Sequence, residues 1–151
     1  MVRYSKNEWF YGRDELLSQL SLKLQENKAH HRVAIYGLGG FRRTQTALAY
    51  VYMKCEFYRS IFRVSGINEM SDFQRIAKCV GIVISDAEEC AVPVLAWLNL
   101  QASWLLVIDN LDKIEIINGF LPNNDVKKHT LITTRKPNAD GILAEVWKST
   151  F

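Results

Sequence analysis

A chain of 151 residues, 48% of them apolar, is long enough to bury one compact core and too short for two ordinary domains. Its charged fraction of 23% and net charge of +3 demand neither a nucleic acid nor an anionic membrane as partner. The N-terminus lacks the apolar stretch of a signal peptide, and the longest apolar runs, Ala91 to Leu98 and Trp104 to Ile108, fall far short of a membrane span, so the expectation is a soluble cytoplasmic protein.

In chain order, residues 1–30 read as a helical lead-in, with Leu17, Leu20 and Leu24 on one face after Asp14. Val33 to Tyr36 is a strand-like run, followed by a glycine-rich stretch and a helix from Thr44 whose apolar face is Ala47, Leu48, Val51 and Cys55. A second strand spans Ile61 to Val64, with Arg63 its one misfit. Met70, Phe73, Ala77 and Val80 form a third helical stripe, begun by Asn68 and a capping box Ser71-x-x-Gln74. Ala91, Leu95 and Leu98 form a fourth, with Pro93 tolerable in a first turn. Leu105 to Ile108 is the third strand, Gly119 to Asp125 has the composition of a surface loop, and Leu131 to Thr134 is the fourth strand. Glu145 to Phe151 fits either a fifth strand or a fraying helix end; Val146, Trp147, Thr150 and Phe151 favour the strand. Runs that are apolar almost throughout suit parallel strands covered on both faces, and their alternation with helices implies a layered α/β sheet. Cys55, Cys79 and Cys90 show no metal or disulfide spacing and are expected to pack as small hydrophobes.

Three features point to chemistry. Gly37-Leu38-Gly39-Gly40-Phe41-Arg42-Arg43-Thr44 has the place and length of a Walker A loop, G-x-x-x-x-G-K-[ST]. In such a loop, backbone N–H groups and a helix N-terminus face phosphate oxygens, and glycines let the backbone come close. Gly37, Gly39, Gly40 and Thr44 fit; Arg42 stands where the motif has Gly and Arg43 where it has Lys. A glycine-rich turn that binds nothing is the alternative for this segment alone. Second, Asp109 ends the third strand, as a Walker B acid does, in position to share Mg²⁺ with Thr44. Third, Arg135 follows the fourth strand, at the end of the sheet where ligands of open α/β folds bind.

The ordered set Phe10 to Leu16, Val33 to Gly40, Leu105 to Asn110 and Leu131 to Arg135 resembles the NB-ARC domain of STAND NTPases, in the flavour of fungal NOD-like receptors. The resemblance covers nearly the whole chain. It implies a three-layer P-loop NTPase fold with a mainly parallel sheet of four or five strands, forming a single nucleotide-binding domain over 1–151 without the helical ARC subdomains. It also implies an ADP/ATP switch in innate immunity or programmed cell death. By that likeness Gly12 and Arg13 lie near the adenine, the Gly37 to Thr44 loop holds phosphates, Thr44 and Asp109 hold Mg²⁺, and Arg135 faces the γ-phosphate as a sensor. The departures matter equally: Arg42-Arg43 replaces Gly-Lys, Arg63 stands where Trp is frequent, and Asn110 follows the Walker B acid, leaving Asp112 as the nearest second carboxylate. The implied partners are nucleotide and other protein domains or a second copy, not a membrane or nucleic acid, with weak or absent hydrolysis. The rival reading is a degenerate P-loop domain without nucleotide, acting as an interaction or regulatory module.

Overall fold

The computed structural model describes residues 14–25, 31–36, 40–86, 90–111, 124–135 and 145–148. Along them run α1 (Asp14–Gln25), β1 (Arg32–Tyr36), α2 (Gly40–Met53), β2 (Ser60–Ser65), α3 (Glu69–Val80), α4 (Ala91–Leu100), β3 (Trp104–Asp109), β4 (Lys128–Thr134) and β5 (Glu145–Lys148). The strands form one five-stranded sheet in the order β2-β3-β4-β1-β5, parallel at every pairing. Each of the four expected strand runs is present, and residues 145–148 of the tail form a strand at the outer edge beside β1.

Because successive strand residues point to opposite faces, β1 to β4 supply two separate cores. Ala34, Phe62, Val64, Leu106, Ile108 and Ile132 face α3 and α4, where Phe73, Ile76, Val94 and Leu98 meet them. Val33, Ile35, Leu105, Val107 and Leu131 face the other way, against Leu17, Leu20 and Leu24 of α1 and Ala47, Tyr50 and Val51 of α2. Two helical layers around a central sheet follow directly from strands that are apolar on both sides.

Local departures from the sequence pattern have local causes. The helix after β1 begins at Gly40, not Thr44. Residues in a first turn need no internal acceptor for their N–H groups, so the second half of the glycine-rich stretch adopts helical backbone while leaving those donors available. That helix ends at Met53, with the Lys54 N–H bonded to the Tyr50 carbonyl, so Cys55 falls in the following turn and is exposed. Cys79 is also exposed; Cys90 alone of the three packs inside, its thiol donating to the Met70 carbonyl at 3.3 Å. The capping box is corrected too. Ser71 lies inside α3, whose N-cap is Asn68 without a side-chain cap, and Asp72 in the first turn instead accepts the Ser65 N–H at 2.7 Å. Ile76 takes the buried place expected of Met70, which is 46% exposed.

A buried polar chain closes the end of the sheet where the strands begin. His129 near the start of β4 is fully buried, stacked at 5.8 Å on His31 just before β1. Its Nε2 donates to the Val126 carbonyl at 2.7 Å, which leaves Nδ1 to accept from the Tyr58 hydroxyl. Tyr58 in turn accepts from the Tyr50 hydroxyl at 2.9 Å. Each buried hydroxyl thereby has a partner, as burial away from water requires.

Candidate functional site

Since all pairings are parallel, β1, β2, β3 and β4 finish on one edge, at Tyr36, Ser65, Asp109 and Thr134. Open parallel sheets bind their ligands at this edge. Helix α2 starts four residues after β1 ends, which brings its first turns to the same place.

There the Thr44 hydroxyl, on α2, donates to Asp109 at 2.9 Å from Oδ1 and 3.2 Å from Oδ2. Thr133 of β4 donates to the same Oδ1 at 2.6 Å. Register explains that contact: Ile108 pairs with Ile132, so the next residues of both strands, Asp109 and Thr133, stand side by side. On the other flank Asp109 pairs with Ser65 of β2, and Arg63, two residues earlier and so on the same face, reaches diagonally to Oδ2 at 2.6 Å. The Asp109 side chain is only 7% exposed against 33% for Arg63. Burying a carboxylate is costly unless it is paired and hydrogen-bonded, and here one cation and two hydroxyls meet that need.

The chain just beyond the acid is pinned on both sides. Asn110 adopts a left-handed backbone (φ 61°), a conformation Asn tolerates better than most residues. Its N–H bonds the Thr133 hydroxyl at 2.8 Å, and the next N–H, of Leu111, bonds the Thr133 carbonyl at 2.8 Å. Just after β2 the Gly66 N–H bonds the Asp109 carbonyl at 2.7 Å. That approach is so close that a Cβ on Gly66 would lie 2.6 Å from the Asn110 oxygen.

Of the residues singled out from the sequence, Thr44 and Asp109 are brought into direct contact. Arg135 is exposed immediately after β4, whose last residue Thr134 pairs with Tyr36, so it shares the edge from which the glycine-rich stretch departs. Arg43 turns inward and is 2% exposed, although the motif places a phosphate-contacting cation at its position. Gly40 and Arg42 lie in the first turn of α2 by backbone. Gly12, Arg13, Gly37, Gly39 and Asp112 fall outside the described residues. Sequence reasoning missed Thr133 and Gly66 and saw Arg63 only as a misfit, because their contacts depend on the register between strands.

A divalent cation of the kind the resemblance implies prefers hard oxygen ligands, and Thr44 with Asp109 supplies two. The arrangement nevertheless does not fit one. Oδ2 is held by a guanidinium and Oδ1 by two hydroxyls, so an incoming cation would meet like charge and lone pairs already engaged. Among the described residues no cluster of three or more His, Cys, Asp or Glu side chains could hold a metal ion elsewhere.

No family model matches the chain. In sequence it is similar to a nucleotide-binding leucine-rich repeat (NLR)-like protein from Hyaloscypha variabilis, 28% identical over 136 residues that cover 82% of this chain. In structure it is similar to Cdc6p from Pyrobaculum aerophilum, with a TM-score of 0.63 and 16% identity over 96% of this chain. The fold is that of a P-loop NTPase. The sequence likeness to an NLR-like protein agrees with the NB-ARC resemblance carried by the ordered motifs. The chain spans 14% of the NLR-like protein's length and 47% of the Cdc6p chain. No helix among the described residues is long and apolar enough to cross a membrane.

Proposed function

We propose that this P-loop domain binds ADP or ATP as part of a STAND-type signalling switch, in fungal-type innate immunity or programmed cell death, in the cytoplasm and with little or no ATP hydrolysis. The observation that supports the reading most is the 2.9 Å contact between Thr44 and Asp109. It unites the last residue of the glycine-rich loop with the acid of a strand far along the chain, at the edge of the sheet where α2 begins. The Gly37 to Thr44 loop is the phosphate cradle in this reading, and exposed Arg135 is the side chain placed to sense a terminal phosphate. Slow hydrolysis is inferred from Asn110, which puts an uncharged side chain next to Asp109 where a second carboxylate would orient water. The protein partners proposed are other domains of the same signalling system or a second copy, and Leu100 and Val92 on α4, 84% and 54% exposed, offer apolar surface for them.

A second reading, a P-loop module that has lost nucleotide and works by protein contacts, draws on the inward packing of Arg43. One measurement separates the two. A ligand that binds only the folded state stabilises it by about 2.7 kcal/mol at a hundredfold excess over Kd, so thermal melts should rise with ADP or ATP under the first reading. No shift at millimolar nucleotide would leave the interaction module.

A further inference from the structure

Arg63 is the feature of the site that neither the motif nor the fold accounts for. It stands on the edge strand β2 between the buried Phe62 and Val64, and its guanidinium lies 2.6 Å from Asp109 Oδ2. The carboxylate it meets is 7% exposed, so the contact neutralises a charge that has little water to do so. The guanidinium gives Asp109 a counter-ion that is part of the chain, unlike a dissociable metal. Thr44 and Thr133 donate to Oδ1, so each oxygen of the acid already has a donor from the protein itself.

We propose that Arg63 is a resident counter-ion that takes over the divalent cation's role at the Thr44–Asp109 pair, making this site metal-independent. The acid that the motif devotes to a metal is spent on an internal ion pair with Arg63, which fixes the end of β3 against β2 whether or not a metal is present, while the Thr44 hydroxyl ties α2 to the same acid. The inference rests on the reading of this edge as a nucleotide site, and it predicts that phosphate binding there needs no Mg²⁺.

The test compares the full wild-type chain with Arg63→Gln, Arg63→Lys and the double variant Arg63→Gln/Asp109→Asn, each verified as folded by circular dichroism. Millimolar Mn²⁺, added without nucleotide, is followed by electron paramagnetic resonance and by the melting temperature. Wild type and Arg63→Lys should bind no Mn²⁺ and melt unchanged. Arg63→Gln should bind it and gain several degrees, and the double variant should lose that gain. Mn²⁺ binding by wild type within twofold of Arg63→Gln overturns the proposal, as does an Arg63→Gln chain that gains none. Should Arg63→Gln fail to fold, wild type decides: a Mn²⁺-dependent rise that disappears in Asp109→Asn overturns the proposal, and no rise supports it. A parallel titration with fluorescent ADP should give wild type the same affinity, within twofold, in EDTA and in Mg²⁺. A tenfold loss in EDTA overturns metal independence. Absence of ADP binding under every condition would instead sink the nucleotide reading, with the Mn²⁺ arm still deciding what Arg63 does.

Discussion

Gly66 sits where two backbones come within van der Waals contact, and a methyl group there would lie 2.6 Å from the Asn110 oxygen and 2.7 Å from the Leu111 Cα. Backbone cannot swing aside as a side chain can, so Gly66→Ala should lower stability by roughly 1–3 kcal/mol and loosen the Asp109 turn, measured by urea unfolding. Nothing in the sequence around Ser65-Gly66-Ile67 announces that need, because the clash comes from a segment on a different strand. Thr44 and Asp109 were legible for the opposite reason: each belongs to a short motif whose chemistry fixes residue type. Arg63 and Thr133 were not, since their contacts with Asp109 depend on register between strands distant along the chain. The loop arginines give a second test at this scale. Arg42→Gly with Arg43→Lys restores the motif's residue types at both positions and replaces the inward-packed Arg43 guanidinium. If one or two charge-assisted contacts to phosphate return, ADP affinity should tighten by about tenfold to a thousandfold. Calorimetry at one salt concentration checks it, and equal affinities would show that the arginines are tolerated.

Among the elements, α4 combines two roles that its sequence alone could not separate. AVPVLAWLNL is apolar nearly all round; periodicity picks out Ala91, Leu95 and Leu98, and the structure buries Leu95 and Leu98 together with Val94, leaves Ala91 partly buried and puts Val92 and Leu100 outside. Leu98 is fully buried against the sheet, and Leu98→Ala should cost about 2–5 kcal/mol by calorimetric or denaturant unfolding. Leu100→Lys should instead leave stability within about 0.5 kcal/mol, the ordinary range for surface changes. If α4 is the self-association surface, that change should also shift sedimentation at high concentration towards monomer. Strands were easier to read than helix boundaries. A run apolar on both faces admits few interpretations, whereas the end of α2 at Met53 and the uncapped start of α3 depend on turns that send Cys55 and Met70 to solvent.

For the whole molecule, the two ends of the sheet respond to different variables. The strand-start end depends on pH through His129, whose pKa burial pushes down from 6.5 to about 4. The folded state holds this ring neutral while the unfolded chain protonates it near 6.5. Its contribution is therefore complete above that value, declines as pH falls towards 4, and is flat below. The loss amounts to about 3 kcal/mol over that window. Urea midpoints between pH 7 and pH 4 should show it, with the slope much reduced in His129→Phe. A last consequence of the strand order concerns synthesis. Among the described residues β1 pairs with β4 and β5, Arg32 meeting Thr130 and Val33 meeting Glu145, so it has no strand partner until the chain has been made through β4, about a hundred residues later. The first pairing open to a growing chain is β2 with β3, which requires the chain through Asp109. Until β4 has been made, Val33-Ala34-Ile35-Tyr36 is an apolar segment with unpaired backbone, exposed to whatever the ribosome's surroundings offer. Such non-local pairing makes folding slow and aggregation competitive. Yield in a heterologous host should accordingly depend on translation rate and chaperone supply more than on the equilibrium stability of the finished domain.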